Sequence, residues 1–332
     1  MRSASSVSPD TRSIMKPTRI SRLLGIRYPI VQAGMSWASS NAALPAAVTL
    51  AGGLGVIAAG PMYLDAFRDT VRAVRLAAGG APFAVNLPLY RPEAERFLDV
   101  IEEERVPILI ASQGGPKAHL ARFRALGTRW IHVVSTLEHA RKAADAGVDG
   151  LVVVGAEAGG HPPANGVGTL VAVRRAIQAL PEMPIIAGGG VADGFGVAAL
   201  LALGADAVQL GTRFLATREA GVHPNYKQAV LDTEIDATAL VGIRKLPVRM
   251  TRNAFAQDVL RADGEQIDDE AYAALFGSSS LKQAALDGDT VRGKVELGQS
   301  AGLISDLPSA AEVVARLVDE YRCAVSRLIE GS

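Results

Sequence analysis

Cysteine occurs once in the 332 residues, as Cys323. One thiol excludes a disulfide framework within the chain and a cysteine-built metal site. It also fits a reducing cytoplasm, the expected compartment. An excess of charge is missing too, since Lys and Arg total 34 and Asp and Glu total 34. A balanced chain projects no net positive field to gather nucleic acid or an anionic membrane surface. Long apolar runs are absent as well. The stretch 43–59 is full of Gly and Ala and falls short of the roughly 20 residues that cross a bilayer. Residues 1–15 are Ser- and Arg-rich without the apolar segment of a secretory signal, and are expected to be a flexible start.

What is present suits a large core: 49% of the residues are hydrophobic and 20% charged, which argues against disorder. Short apolar runs expected as strands lie at 28–32, 54–58, 83–87, 107–111, 130–134, 150–154, 184–187 and 207–210. Helical stretches alternate with them. One is expected to open with Ser135 and Glu138 as a capping box and to end at Gly147. The eight strand–helix units recur every roughly 20 to 35 residues, the spacing of an α/β (β/α)8 TIM barrel. Near-continuous apolar strands fit a parallel sheet buried on both faces. An open doubly wound sheet would place G-x-G-x-x-G after the first strand, where this chain has Ala33-Gly34-Met35-Ser36-Trp37. The repeat stops after Ala216. Residues 223–304 are expected to form a mostly helical insertion near the barrel mouth. The amphipathic run 309–329, with Val313, Val314, Leu317, Val318, Tyr321 and Val325 on one face, then closes the wall. The barrel would therefore comprise 16–222 and 305–332.

Barrel active sites sit at the carboxyl ends of the strands. Here those ends offer Gly34 and Met35, Asn86, Ser112 and Gln113, Glu157 to His161, Gly188 to Gly190, and Gly211 with Thr212. They contain no carboxylate pair, no metal-ligand cluster and no lysine. A site so poor in acid–base groups points to a cofactor that carries the reaction. The last two turns, rich in glycine and side by side, expose backbone N–H groups and form an anion cup. A phosphate cup beside uncharged strand ends suits a flat ring system, for which FMN is the natural candidate.

Of the five histidines, only His161 lies in a strand-end loop between Gly159-Gly160 and Pro162-Pro163. It can exchange a proton near neutral pH, or it can be a turn residue bonding backbone. Asn86, at the end of an apolar strand, must find partners in a ring edge or in the core. Thr212 either holds phosphate or caps the next turn, and Met35 packs on a ring or in the core. An aldolase or isomerase would need a strand-end lysine or glutamate base, and only Glu157 is near. A cysteine-nucleophile dehydrogenase would need a loop cysteine, and Cys323 is on the last helix.

Taken together, Leu23-Leu24-Gly25-Ile26-Arg27-Tyr28-Pro29-Ile30, Gln32-Ala33-Gly34-Met35, Ala51-Gly52-Gly53-Leu54-Gly55, Phe83-Ala84-Val85-Asn86-Leu87, Glu157-Ala158-Gly159-Gly160-His161, Ile185-Ile186-Ala187-Gly188-Gly189-Gly190 and Gly211-Thr212-Arg213-Phe214 resemble the nitronate monooxygenases, formerly called 2-nitropropane dioxygenases. The resemblance implies an FMN-dependent barrel. It implies that Gly34 and Met35 pack on the flavin, that Asn86 bonds near it, and that Gly189, Gly190, Gly211 and Thr212 hold its phosphate. Gly160, Gly188 and Gln209 complete the expected cofactor-binding set, and His161 is the expected catalytic base. The implied reaction oxidises an alkyl nitronate with O2 to a carbonyl compound and nitrite. One position departs from the pattern: Val133 stands where family members often carry a lysine aimed at the ring. Pro162-Pro163 also replaces an Arg-Gly found in some members. NAD(P)H-dependent quinone and enoyl reductases share the glycine turns and the histidine loop, so NAD(P)H is an alternative reductant. A non-catalytic flavin-binding barrel is the reading from another class. Partners beyond a small-molecule substrate and O2 are expected to be limited to a second copy of the chain in a homodimer.

Overall fold

A computed structural model describes residues 15–265 and 267–330. The expected flexible start lies outside the described residues except for Met15, which is buried. The chain runs through α1 (Arg19–Leu24), β1 (Ile30–Gln32), α2 (Ala43–Leu50), β2 (Val56–Ala58), α3 (Leu64–Ala78), β3 (Ala84–Pro88), α4 (Ala94–Glu103), β4 (Ile108–Ser112), α5 (Leu120–Ala125) and β5 (Arg129–Val134). It continues through α6 (Leu137–Ala146), β6 (Gly150–Val154), α7 (Thr169–Ala179), β7 (Ile185–Gly188), α8 (Gly194–Ala202), β8 (Ala207–Leu210) and α9 (Thr212–Leu215). After these come α10 (Pro224–Leu231), β9 (Thr238–Val241), β10 (Val248–Thr251), α11 (Ala254–Glu265), α12 (Asp269–Gly277), α13 (Leu281–Ala285), a short 3-10 turn at Gln299–Leu303, and α14 (Ala310–Glu330).

The first eight strands form one parallel sheet in the order β1-β8-β7-β6-β5-β4-β3-β2. The β1–β2 seam closes it into a barrel. There the ladder is reduced to one parallel bridge, Val31 with Leu54. The side chain of Gln32 supplies what the ladder lacks: its Oε1 accepts the Val56 N–H at 2.9 Å and its Nε2 donates to the Val56 carbonyl at 3.2 Å. A fully buried amide left unpaired would be destabilising by about 1–3 kcal/mol; here it pins two strands. Inside, Val31, Val56, Ile108, Ile110, Ile131, Val152 and Ile186 fill the barrel. Outside, a second apolar layer lies under the helices. The amphipathic C-terminal run forms α14, which packs on α8 and α2 and so covers the wall between the last and first strands. The approach to α8 is close: a Cβ on Gly194 would stand 2.4 Å from the Leu317 carbonyl oxygen.

Two sequence readings change. The cap of α6 is Thr136, whose hydroxyl accepts the His139 N–H at 3.1 Å. Ser135 lies one residue outside, and Glu138 pairs with Lys142 at 2.6 Å instead of reaching back. The pattern of residues 135–138 offers two adjacent hydroxyl residues, and the helix starts from the second. Beyond its helices, the segment 223–304 also holds an antiparallel hairpin, β9 with β10. Four-residue strands are too short for a periodicity to be read against the helical background. Phe255, Val259 and Tyr272 cover this hairpin and form a small core of their own. Among the described residues no helix is long and apolar enough to cross a membrane.

Candidate active site

The carboxyl ends of the strands open into a cavity of about 1120 Å³. The expected catalytic and cofactor-binding residues line it, namely Gly34, Met35, Asn86, Gly160, His161, Gly188, Gly189, Gly190, Gln209, Gly211 and Thr212, whereas Glu157 lies outside it. Among the described residues no cluster of His, Cys, Asp or Glu could hold a metal ion.

One side of the mouth is made by β7, β8 and their turns. Gly189 and Gly190 hold φ of +108° and +75°, a region where a side chain is strained. A Cβ on Gly189 would also meet the Thr169 hydroxyl at 2.7 Å. Among the described residues, the backbone N–H groups of Gly189, Gly190 and Gly211 donate to no protein acceptor. The Thr212 hydroxyl does not cap its own turn. It is buried and accepts the Gly298 N–H at 3.0 Å, drawing the segment after the insertion over the cup. Donor N–H groups without acceptors, on a cradle that only glycine can line, fit the phosphate of a flavin nucleotide. Across the mouth, a Cβ on Gly34 would stand 2.4 Å from the Asn86 Cβ, so a flat bare surface borders the cavity there. Asn86 donates its Nδ2 to the Ile110 carbonyl at 3.0 Å, and its Oδ1 faces Gly34. The Met35 sulfur lies against Gly211.

The other side is made by the loop between β6 and α7, which carries His161. Three clamps hold it. Glu157 accepts the Thr169 N–H and hydroxyl (2.8 to 3.0 Å), fixing the loop to the N-terminus of α7. This is a structural role for the acid that the sequence left as a base candidate. Gly160 pairs with Arg249 of β10, N–H to O at 3.1 Å and 2.7 Å. Gly159 packs so tightly on the 297–298 backbone that a Cβ would stand 2.4 Å from the Leu297 carbonyl carbon. Pro162 and Pro163 are buried behind the loop. His161 itself is exposed, with Nδ1 2.8 Å from the Pro247 carbonyl oxygen. A carbonyl only accepts, so Nδ1 donates and Nε2 carries the lone pair.

Sequence reasoning missed the partners supplied by the insertion: Pro247, Tyr226 and Glu296, all on the cavity wall. Tyr226 donates its hydroxyl to the Glu296 carbonyl at 2.7 Å, and burial holds this phenol well above its ordinary pKa. Burial raises the Glu296 carboxyl, against the pull of His161 and Lys294. The alternation Val295-Glu296-Leu297, with both apolar neighbours buried, was the one local signal for it. On the barrel floor Val133 packs with the interior residues and borders the cavity. Its neighbour His132, whose Nδ1 accepts the Trp130 Nε1–H at 3.5 Å, lies beside Trp130 and borders the cavity farther out. Burial there pushes His132 down to about 4, although it bonds the Gly114 backbone.

The profile described as nitronate monooxygenase matches residues 17–97 and 93–320. The chain belongs to the nitronate monooxygenase family. It is 33% identical to a nitronate monooxygenase of Paraburkholderia phytofirmans, covering 92% of this chain and 95% of that protein. It is 29% identical to the (3aS,4S,5R,7aS)-5-hydroxy-7a-methyl-1-oxo-octahydro-1H-indene-4-carboxyl-CoA dehydrogenase of Mycobacterium tuberculosis, over 91% and 95% of the two chains. The solved structure of FabK from Thermotoga maritima superposes with a TM-score of 0.88 at 36% identity, covering 95% of this chain and 99% of FabK. The family makes this chain a TIM-barrel oxidoreductase of the flavin-dependent type acting on a small molecule.

Proposed function

We propose that this family member binds FMN and oxidises alkyl nitronates with O2, giving a carbonyl compound and nitrite. The observation that carries the reading is His161, whose Nδ1 is engaged by the Pro247 carbonyl while Nε2 is left for the cavity. The glycine cup of Gly188 to Gly190, Gly211 and Thr212 would hold the FMN phosphate. Gly34, Met35, Asn86 and Gln209 would border the ring, and Gly160 would seat the histidine beside it. FMN, when bound there, would supply the redox chemistry that links oxidation of the nitronate to reduction of O2. For a neutral nitroalkane, His161 takes the α-proton at Nε2 as the C–H bond breaks and the nitronate forms. The clamps on the His161 loop keep that nitrogen in place, so little reorganisation is needed.

A second reading makes NAD(P)H the reductant. What favours it is the length of the cavity, which continues past Ser112 to Gly115 toward Lys117, His139 and Lys142, more room than a small nitronate fills. The test is anaerobic. The yellow protein is mixed with a nitronate, with NADH and with NADPH, and the flavin absorbance is followed. Rapid bleaching by the nitronate is expected; bleaching by a pyridine nucleotide with none by nitronate defeats the first reading.

A further inference from the structure

We infer that Glu296 is a positioning residue for His161: its carboxyl group lies on the same cavity wall, beside the residue preceding His161, and stabilises from there the proton that Nε2 collects. The inference rests on reading His161 as the base. Four observations support it. Glu296 and His161 line the same cavity. Oε2 of Glu296 lies 3.3 Å from the point where a Cβ on Gly160 would stand, against the residue preceding His161. The backbone of Glu296 is fixed by the Tyr226 hydroxyl and by a bridge to Met250 of β10. That strand also supplies the bridge to Gly160, so one hairpin sets both partners. Finally, burial raises this carboxyl while the neighbouring charges of His161 and Lys294 pull it down. Glu157, by contrast, is held by Thr169 from two sides.

The other charged or titratable groups around Glu296 are already engaged. Lys294, from its own segment, donates to the Phe276 carbonyl at 3.0 Å and lies over the Phe276 ring. Arg249, from β10, donates to the Ala156 carbonyl and the Thr238 hydroxyl. Tyr226, from α10, stays a neutral phenol. Glu157, from the histidine loop, is spent on α7. Glu296 is half-buried and desolvation favours its neutral form, so a cation formed beside it is what draws out and stabilises the carboxylate. The cation that catalysis creates there is the His161 imidazolium. The balance is simple: the substrate C–H bond breaks, its electron pair stays on the nitronate, and its proton sits on Nε2 near the Glu296 carboxylate until water takes it.

The experiment is an NMR titration of the imidazole resonances of the holoenzyme, with the His161 signal assigned by its loss in H161Q. E296Q is expected to lower the His161 midpoint by about one pH unit, while E296D, which keeps the charge, recovers most of it. An unchanged midpoint in E296Q overturns the inference. Should E296Q not fold, the wild type decides alone, because a coupled pair titrates in two steps and a single-site curve overturns the coupling. The two readings fail separately. If E296Q moves the midpoint but H161Q leaves nitroalkane turnover intact, the base assignment falls and the coupling stands. If H161Q abolishes that turnover while E296Q moves nothing, the base stands and Glu296 has no part in it.

Discussion

The two sides of the mouth are built differently. The β7–β8 side comes from two adjacent strands and turns only some 20 residues apart, and its groups are backbone N–H. The His161 side is assembled from three segments: the β6–α7 loop, the hairpin that supplies Pro247 and Arg249, and the return segment that supplies Glu296. His161 and Pro247 are 86 residues apart in the chain. A cofactor phosphate can be held by local backbone because every peptide carries the same donor. A ring nitrogen that must stand at one particular place needs partners of its own, and distant parts of the chain provide them for His161.

The comparison breaks most completely at Gly189. Replacing it with Val puts a branched side chain at φ +108° with a Cβ 2.7 Å from the Thr169 hydroxyl. Strain of roughly 1–3 kcal/mol is expected, enough for the turn to shift and the cup to open. The purified G189V protein should be colourless, with flavin binding lost by about 100-fold or more. If it retains stoichiometric flavin, the cup is not the phosphate site. The next largest effect is on the other side. H161Q should keep its flavin, and turnover of a neutral nitroalkane should fall by about 10²–10⁴-fold. Preformed nitronate should suffer far less, because its α-proton is already gone. Equal losses on both substrates would mean that His161 acts otherwise.

This contrast also explains how much of the molecule could be read in advance. The barrel was legible because Ile108 to Ala111 or Ile185 to Ala187 are apolar on both faces and are punctuated by glycine. Gly188 to Gly190 and Gly211-Thr212 were legible because a turn motif is contiguous. His161 was found from its flanking Gly and Pro residues. Its partners were not, since nothing near Pro247 or Glu296 in the sequence records what the fold brings beside them. The hairpin itself was hidden for the same reason: Val248 and Met250 pack on α11 and α12, which no local pattern announces. Glu157 looked like chemistry and proved to be a helix anchor, because the Thr169 it serves lies in the next element.

A third measurement separates the buried His132 from the exposed His161. His132 is buried beside Trp130, and burial holds it at about 4, against 6.5 for a free imidazole. The unfolded chain therefore takes a proton below pH 6.5 that the folded chain refuses until about pH 4. Its contribution to stability is complete above the free value and is lost as pH falls through that window, by up to about 3 kcal/mol. Urea midpoints measured from pH 7 down to 4 should fall steeply in the wild type. In H132Q that slope should flatten while nitronate turnover at neutral pH persists. An unchanged slope would assign the acid sensitivity to other groups.

The smallest expected effect lies between the two sides, on the floor they share. Val133 borders the cavity at the end of β5, the position where the family resemblance led us to expect a lysine. A cation there favours the negative charge that a flavin gains on reduction. V133K should therefore raise the midpoint potential of the bound flavin. The gain is limited, because the position is half-buried among Ile110, Val154 and other apolar neighbours, and an ammonium placed there is itself partly desolvated. An increase on the order of 30 mV, equivalent to about 1.4 kcal/mol for a two-electron couple, is the expected reading in a dye-coupled titration. A fall, or no change with the flavin retained, would place the reduced ring's charge away from β5 and move the search for its stabilising group to the insertion side of the mouth.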